Sequence, residues 1–271
     1  ATGHYCQKRE NPDGSYSLLA GSDKNKDQSY FLCQISQEQL SKALFPIGAL
    51  EKSEVREIAL KHGLVTAAKK DSQGLCFVGK IALPTFLQQQ LAPKMGNVIE
   101  IPSDMAQFQE YAQIPKDEAH VVELAHPFHY EESDGQKVTT HQGAHYYTVG
   151  QRKGLHIGGR PEPSFVIGIN TETNTVYTGQ TEIHPGLNRL ALKLEASSLN
   201  WINTSEQFEK ENRLKCQVRI RYRQPLQSGT LIQVNGDFYI LFESLQKGIT
   251  PGQFAAWYLD GVLIGSGVIA H

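Results

Sequence analysis

LIQVNGDFYILF, residues 231–242, decides the fold of the larger part of this chain. Apolar runs flank Asn235 and Gly236, and an Asn-Gly pair supplies the positive φ angles that a tight hairpin turn requires. The pattern recurs on both sides of it. AAWYL and VLIGSGVIA flank Asp260 and Gly261, while SFVIGIN and TVYTGQ flank the turn TETN. Short strands spaced this regularly, joined by such turns, predict a small barrel or sandwich beyond residue 160.

Upstream the texture changes. NPDGS at 11–15 reads as a hairpin turn with YSLLAG as the returning strand. From 36 to 63 the signals are helical. Ser36 and Gln39 form a capping-box pair ahead of Leu40, Ala43 and Leu44, and Pro46 ends that run. Ser53 is placed to cap a second helix in which Val55, Ile58, Ala59 and His62 share a face, with Gly63 as its left-handed terminator. This part reads as α/β. The polar stretch 94–137, with scattered Pro, Gln, Asp and Glu, reads as long loops or an insertion.

A chain of 271 residues has room for about two domains, and for an enzyme. Lys plus Arg is 26 against 28 Asp plus Glu, so any basic surface must be local. The four cysteines, at 6, 33, 76 and 216, form no CxxC pair, which fits a reducing cytoplasm. The longest apolar stretch, ALFPIGAL at 43–50, is far shorter than the roughly 18 residues of a membrane span. No basic segment followed by an apolar core opens the sequence, so no secretory signal is expected.

Four stretches bear on chemistry. In KKDSQGLCFVG, Lys69 and Lys70 precede Cys76, and positive charge lowers a thiol pKa toward the reactive thiolate. Leu75 to Val78 also reads as a buried strand holding an inert cysteine. In KCQVRIRYRQ, a period of two sets Lys215, Gln217, Arg219, Arg221 and Arg223 on one strand face, a ladder able to meet phosphates or a solvated face paired to acidic neighbours. KNKDQSYF joins Lys24, Lys26, Asp27 and Gln28 ahead of an aromatic pair, as a nucleic-acid contact or as a charged turn. YYTVGQRKGLHIGGRP lacks the GK[ST] ending of a phosphate-binding P-loop and reads as an exposed basic loop. The histidines at 126, 129, 141 and 145 have spacings seen in zinc sites but no cysteine partner, so no metal is assigned. No nucleophile elbow supports Ser/His/Asp hydrolysis.

Taken together, ATGHY, KNKDQSYFL, LFPIGALEKSEVREIA, KKDSQGLCFVG, YTVGQRKGLHIGG, RIRYRQP and TPGQFAAWY resemble, in order and over nearly the whole chain, the tRNA-specific 2-thiouridylases. The resemblance implies an α/β remnant of a nucleotide-binding domain of PP-loop type, then a mostly β central domain and a C-terminal β-barrel. The corresponding ranges are 1–81, 82–164 and 165–271, the last gripping tRNA.

It also implies a reaction, in which ATP with Mg adenylates the position-2 oxygen of the wobble uridine and a cysteine persulfide supplies the replacing sulfur. By resemblance Cys76 is the second cysteine, which attacks the first and leaves a disulfide. Gly3 is the glycine that ATP approaches, and Lys26, Asp27, Gln28, Arg221 and Tyr222 contact tRNA. The implied partners are tRNA and a sulfur-donor protein carrying a persulfide. The family's glycine- and serine-rich ATP loop and first catalytic cysteine do not occur in these residues, and Cys6 has no claim to replace that cysteine. The expectation is therefore the C-terminal two-thirds of such an enzyme, inactive alone. The rival expectations are an RNA-binding module without catalysis and a thiol hydrolase using Cys76 with a histidine.

Overall fold

A computed structural model describes residues 1–68, 86–89, 91–155 and 157–271. Lys69, Lys70 and Cys76 therefore lie outside the described residues. No helix among those described is long and apolar enough to cross a membrane.

The turns expected from Asn-Gly and Asp-Gly are present. Asn235 and Gly236 take φ of 52° and 86°, and Asp260 and Gly261 take 48° and 78°. They close β10 (Gln227–Val234) onto β11 (Asp237–Lys247) and β12 (Phe254–Leu259) onto β13 (Val262–Val268). β9 (Arg213–Arg219) lies between β12 and β10, β7 (Asn188–Leu194) pairs with β11, and the two-residue β8 (Asn200–Trp201) pairs with β13. A bridge between Leu194 and Ile269 joins the two ends, so β7, β11, β10, β9, β12 and β13 curl into a closed barrel. Closure leaves no free edge among these strands. Its interior holds Leu192, Leu214, Val218, Leu231, Ile240 and Trp257.

The N-terminal residues build onto this barrel. β1 (Cys6–Glu10) and β2 (Tyr16–Ala20) form the hairpin expected around NPDGS, and β2 pairs with β13 through Leu18 and Leu19. Period-two alternation in β12 explains the continuous apolar run AAWYL. Ala255 and Trp257 enter the barrel, whereas Ala256 and Tyr258 enter a second cluster with Cys6, Leu18, Tyr30, Cys33 and Leu40.

Two short helices follow. α1 (Gln37–Lys42) starts with the expected box, Ser36 Oγ accepting from the Gln39 N–H at 3.2 Å and Gln39 Oε1 accepting from the Ser36 N–H at 3.0 Å. It ends at Lys42, four residues before Pro46, because Ala43 is already extended. α2 (Lys52–Lys61) is capped by Glu51 rather than Ser53, since the Glu54 carboxylate returns to the Glu51 N–H at 2.6 Å. Gly63 terminates it at φ 63° as expected.

The stretch 94–137 is more ordered than its polar composition predicts. It contains β3 (Gly96–Glu100), α3 (Ala106–Gln113), α4 (Val121–Ala125) and the start of β4 (Gln136–His141). The expected loops are helices and strands too short to establish a period, stabilised by packing of a few apolar residues. Phe108 enters one core, while Val121 and Leu124 pack on Leu190, Tyr239 and Leu241 of the barrel wall. β3 and β4 join β5 (Ser164–Asn170) and β6 (Thr175–Gln180) in a four-stranded sheet ordered β4-β3-β6-β5, with β3 and β6 parallel. The hairpin SFVIGIN/TVYTGQ thus belongs to this second sheet.

Candidate nucleic-acid interface

The loop 21–28 is folded around one carboxylate. Asp27 is buried and accepts from the N–H groups of Gly21 (3.2 Å) and Ser29 (3.0 Å). Its other oxygen accepts from Arg219 Nη1 at 2.8 Å, an ion pair with side chains 4% and 10% exposed. Gln28 ties this loop to the first residues, its N–H donating to the Tyr5 carbonyl at 2.9 Å while its Oε1 accepts from the Tyr5 N–H at 3.0 Å. Gly3, two residues before Tyr5, is exposed and has open space where a side chain would stand. The structure so gathers Gly3, Lys26, Asp27 and Gln28. Lys26 is half-buried, and the exposed cation of the loop is Lys24.

The basic ladder is only partly a surface. Lys215 and Gln217 point to solvent, as the period of two requires, but β9 ends at Arg219 and that side chain turns inward to Asp27. The cause is a second layer: residues 1–50 cover this part of the barrel, so the face expected to be solvated carries a buried ion pair. Arg219 is therefore a correction to the ladder reading, and Asp27 has its carboxylate turned inward.

Arg221 is also engaged. Its Nη2 donates to the Gly248 carbonyl and, at 3.4 Å, to the Val149 carbonyl, linking the barrel to the basic loop 146–161. Gly150 and Gly248 both adopt positive φ beside the guanidinium, and a Cβ at Gly150 would stand 2.9 Å from Nη2. Burial lowers the Arg221 pKa from the usual arginine value. Arg221 acts from within as a latch, holding the loop that presents Arg152 and Lys153 to solvent.

Beyond it the chain surfaces. Tyr222 is half-buried, its ring 4.4 Å from that of Phe31 at an angle of 39°, and the Arg223 guanidinium lies 5.2 Å from the Tyr222 ring centre. Phe31 is a residue that the sequence reading passed over as half of an aromatic pair. Its exposure has no signature in local pattern.

The described cysteines are packing residues. Burial, aided by the charge of Asp27, pushes Cys6 up to about 12; burial alone pushes Cys216 up to about 12 and raises Cys33. Thiols this far above neutrality are not nucleophiles. Among the described residues no group of three or more His, Cys, Asp or Glu is arranged to hold a metal ion. His141 and His184 instead bond backbone within the central sheet.

A closed barrel carries a hairpin-and-helix segment on its outer wall and a separate four-stranded sheet beside it, the architecture of a multidomain, mostly β protein. Family models match in the same order: a tRNA methyl transferase HUP domain over residues 1–80, a tRNA methyl transferase PRC-barrel domain over 114–180 and an aminomethyltransferase β-barrel domain over 192–269. The tRNA-specific 2-thiouridylase MnmA of Christiangramia forsetii is 51% identical over all of this chain and 69% of its own length. That of Flavobacterium johnsoniae is 52% identical over the same shares, and that of Halalkalibacterium halodurans is 43% identical over all of the chain and 63% of its own length. The chain belongs to the tRNA-specific 2-thiouridylase family. Its architecture is accordingly a HUP-like domain, a PRC-barrel-like middle and a C-terminal barrel.

Proposed function

We propose that the protein takes part in replacing the position-2 oxygen of the wobble uridine of tRNA with sulfur from a cysteine persulfide. The observation that carries this reading is identity at about half of all positions, over the whole chain, to enzymes named for 2-thiouridine formation. The gathering of Gly3, Lys26 and Gln28 at the junction with the strand leading to Arg221 and Tyr222 supports it. In this reading, ranges 1–81, 82–164 and 165–271 are the adenylating, central and tRNA-binding domains, and the protein works in the cytoplasm.

The chemistry turns on the leaving group. A carbonyl oxygen leaves poorly, and ATP with Mg supplies the activation that lets it leave as AMP, while a persulfide is a strong nucleophile near neutral pH. Gly3 has the open backbone that close approach of a nucleotide needs. Cys76 acts after sulfur reaches C2: its thiolate attacks the sulfur of the first cysteine, the S–S bond to the transferred sulfur breaks, and that sulfur keeps the electron pair. A disulfide remains, to be reduced before the next turnover. Lys26, Asp27, Gln28, Arg221 and Tyr222 make up the two segments that meet tRNA, with the Asp27 and Arg221 side chains also bracing those segments from within; a persulfide-bearing donor protein recharges the first cysteine.

In the complete enzyme, Cys76→Ser is expected to abolish 2-thiouridine formation, read by mass spectrometry of digested tRNA, while leaving tRNA affinity unchanged. Undiminished thiolation would remove the role given to Cys76. A chain that shifts tRNA in a gel but supports no thiolation in the complete enzyme would favour a binding module without catalysis.

A further inference from the structure

Phe31 stands out among the exposed apolar residues because the fold imposes its exposure. It is 54% exposed, yet its 3-10 turn, Ser29–Leu32, is fixed by buried polar contacts on its inner side. Ser29 Oγ meets the Tyr258 hydroxyl at 3.1 Å, and the single Tyr30 O–H is shared between the carbonyls of Phe254 (2.9 Å) and Ile220 (3.3 Å). With Ser29 and Tyr30 directed inward, the next side chain points out.

Phe31 is not alone there. Tyr222 continues the aromatic surface at 4.4 Å, and Arg223 caps it with its guanidinium 5.2 Å from the Tyr222 ring centre. Arg223 is exposed and held at φ 65°, a conformation that costs a non-glycine residue energy and that clusters at functional sites. Among the described residues no carboxylate pairs with Arg223. Lys24, also exposed, lies on the loop entering the same turn.

We propose that Phe31, Tyr222 and Arg223 form a stacking step for an unpaired base of the bound RNA, with Phe31 as its outer face and Arg223 as its phosphate contact. An aromatic face beside an unpaired cation matches the two halves of a nucleotide, since every base offers a π-face and every linkage a negative charge. An apolar protein segment would satisfy the ring and leave the guanidinium charge unmet. This inference rests on the proposed tRNA function and adds Phe31 and Arg223 to it.

The test is equilibrium binding of the complete enzyme to tRNA over a salt series, with melting curves for every variant. Phe31→Ala and Phe31→Leu should each weaken binding about tenfold at every salt concentration without lowering the melting temperature, because stacking is lost and no counterion is involved. Phe31→Trp should retain the affinity, and its added indole fluorescence should be quenched by tRNA. Arg223→Ala should weaken binding and reduce the salt slope by about one phosphate contact. Phe31→Ala or Phe31→Leu binding as tightly as the parent would overturn the stacking step. So would a loss of affinity confined to a persulfide-bearing donor protein. If the parent enzyme itself fails to bind tRNA, the proposed function falls first and this inference with it.

Discussion

The barrel and the central sheet are tied together internally by different chemistry. On the barrel, Arg219 grips Asp27 and Arg221 grips two carbonyls. In the central sheet, His184 Nδ1 accepts from the Gly186 N–H at 3.1 Å while its Nε2 donates to the Ile101 carbonyl at 3.2 Å, and His141 Nδ1 accepts from the Gly143 N–H at 2.9 Å. A guanidinium keeps its protons at any pH at which a protein folds, so the arginine ties depend on charge being present. The imidazole ties depend on charge being absent, because a protonated Nδ1 has no lone pair to accept with. One region is thus vulnerable to loss of a partner, the other to acid.

The most damaging way to break the first tie is Arg219→Ala, which leaves Asp27 buried without its cation. A loss of about 3–5 kcal/mol is expected by urea denaturation, the range for orphaning one member of a buried pair. Arg219→Met combined with Asp27→Asn should recover much of it, because neither charge then remains. Full stability in Arg219→Ala would mean that the ion pair does not hold the N-terminal segment to the barrel.

Gly248→Ala should come next. Its φ of 62° strains any side chain, and the new methyl group would collide with Arg221. A destabilisation of order 1–3 kcal/mol is expected from the backbone alone. Displacing the guanidinium should also expose the loop at Val149 to faster amide exchange, which a simple backbone penalty would not produce.

Acid probes the second tie. Burial lowers the pKa of both His184 and His141 from the ordinary value of 6.5. The unfolded chain therefore binds these protons first as pH falls, and the stability they contribute is present above about pH 6.5 and lost as pH drops below it. Melting temperature should fall between pH 7.5 and 5.5, with amide exchange rising first around β3 to β6. Equal loosening of the barrel at that pH would erase the contrast. The smallest expected signal is chemical: in native protein at neutral pH, Cys6, Cys33 and Cys216 should resist iodoacetamide, with mass spectrometry finding them labelled only after unfolding.

Much of the frame was legible locally. The Asn-Gly and Asp-Gly turns identified two barrel hairpins, and NPDGS identified the hairpin that extends the sheet. The Ser36 box marked α1 correctly, while the cap of α2 lies two residues before the expected Ser53 because Glu51 and Glu54 supply an equivalent one. The polar stretch 94–137 hid β3, α3 and α4, whose few apolar anchors find partners only on other elements. At the candidate interface, the residue types were visible and their directions were not. Period two placed Lys215 and Gln217 outward correctly, then lost its meaning where β9 ends and a second layer covers Arg219.

Residues 231–242 and 255–270 carry their hairpins in their own turn chemistry, since positive φ is a demand made on adjacent residues and met by them alone. The family motifs are likewise read along the chain. Whether an arginine is a surface cation or an internal brace depends on what packs across from it: Asp27 lies 192 positions from Arg219, and Val149 lies 72 from Arg221. Solvation and desolvation are set by that distant packing, so only the tertiary structure assigned Arg219 and Arg221 inward and left Phe31 and Arg223 facing water.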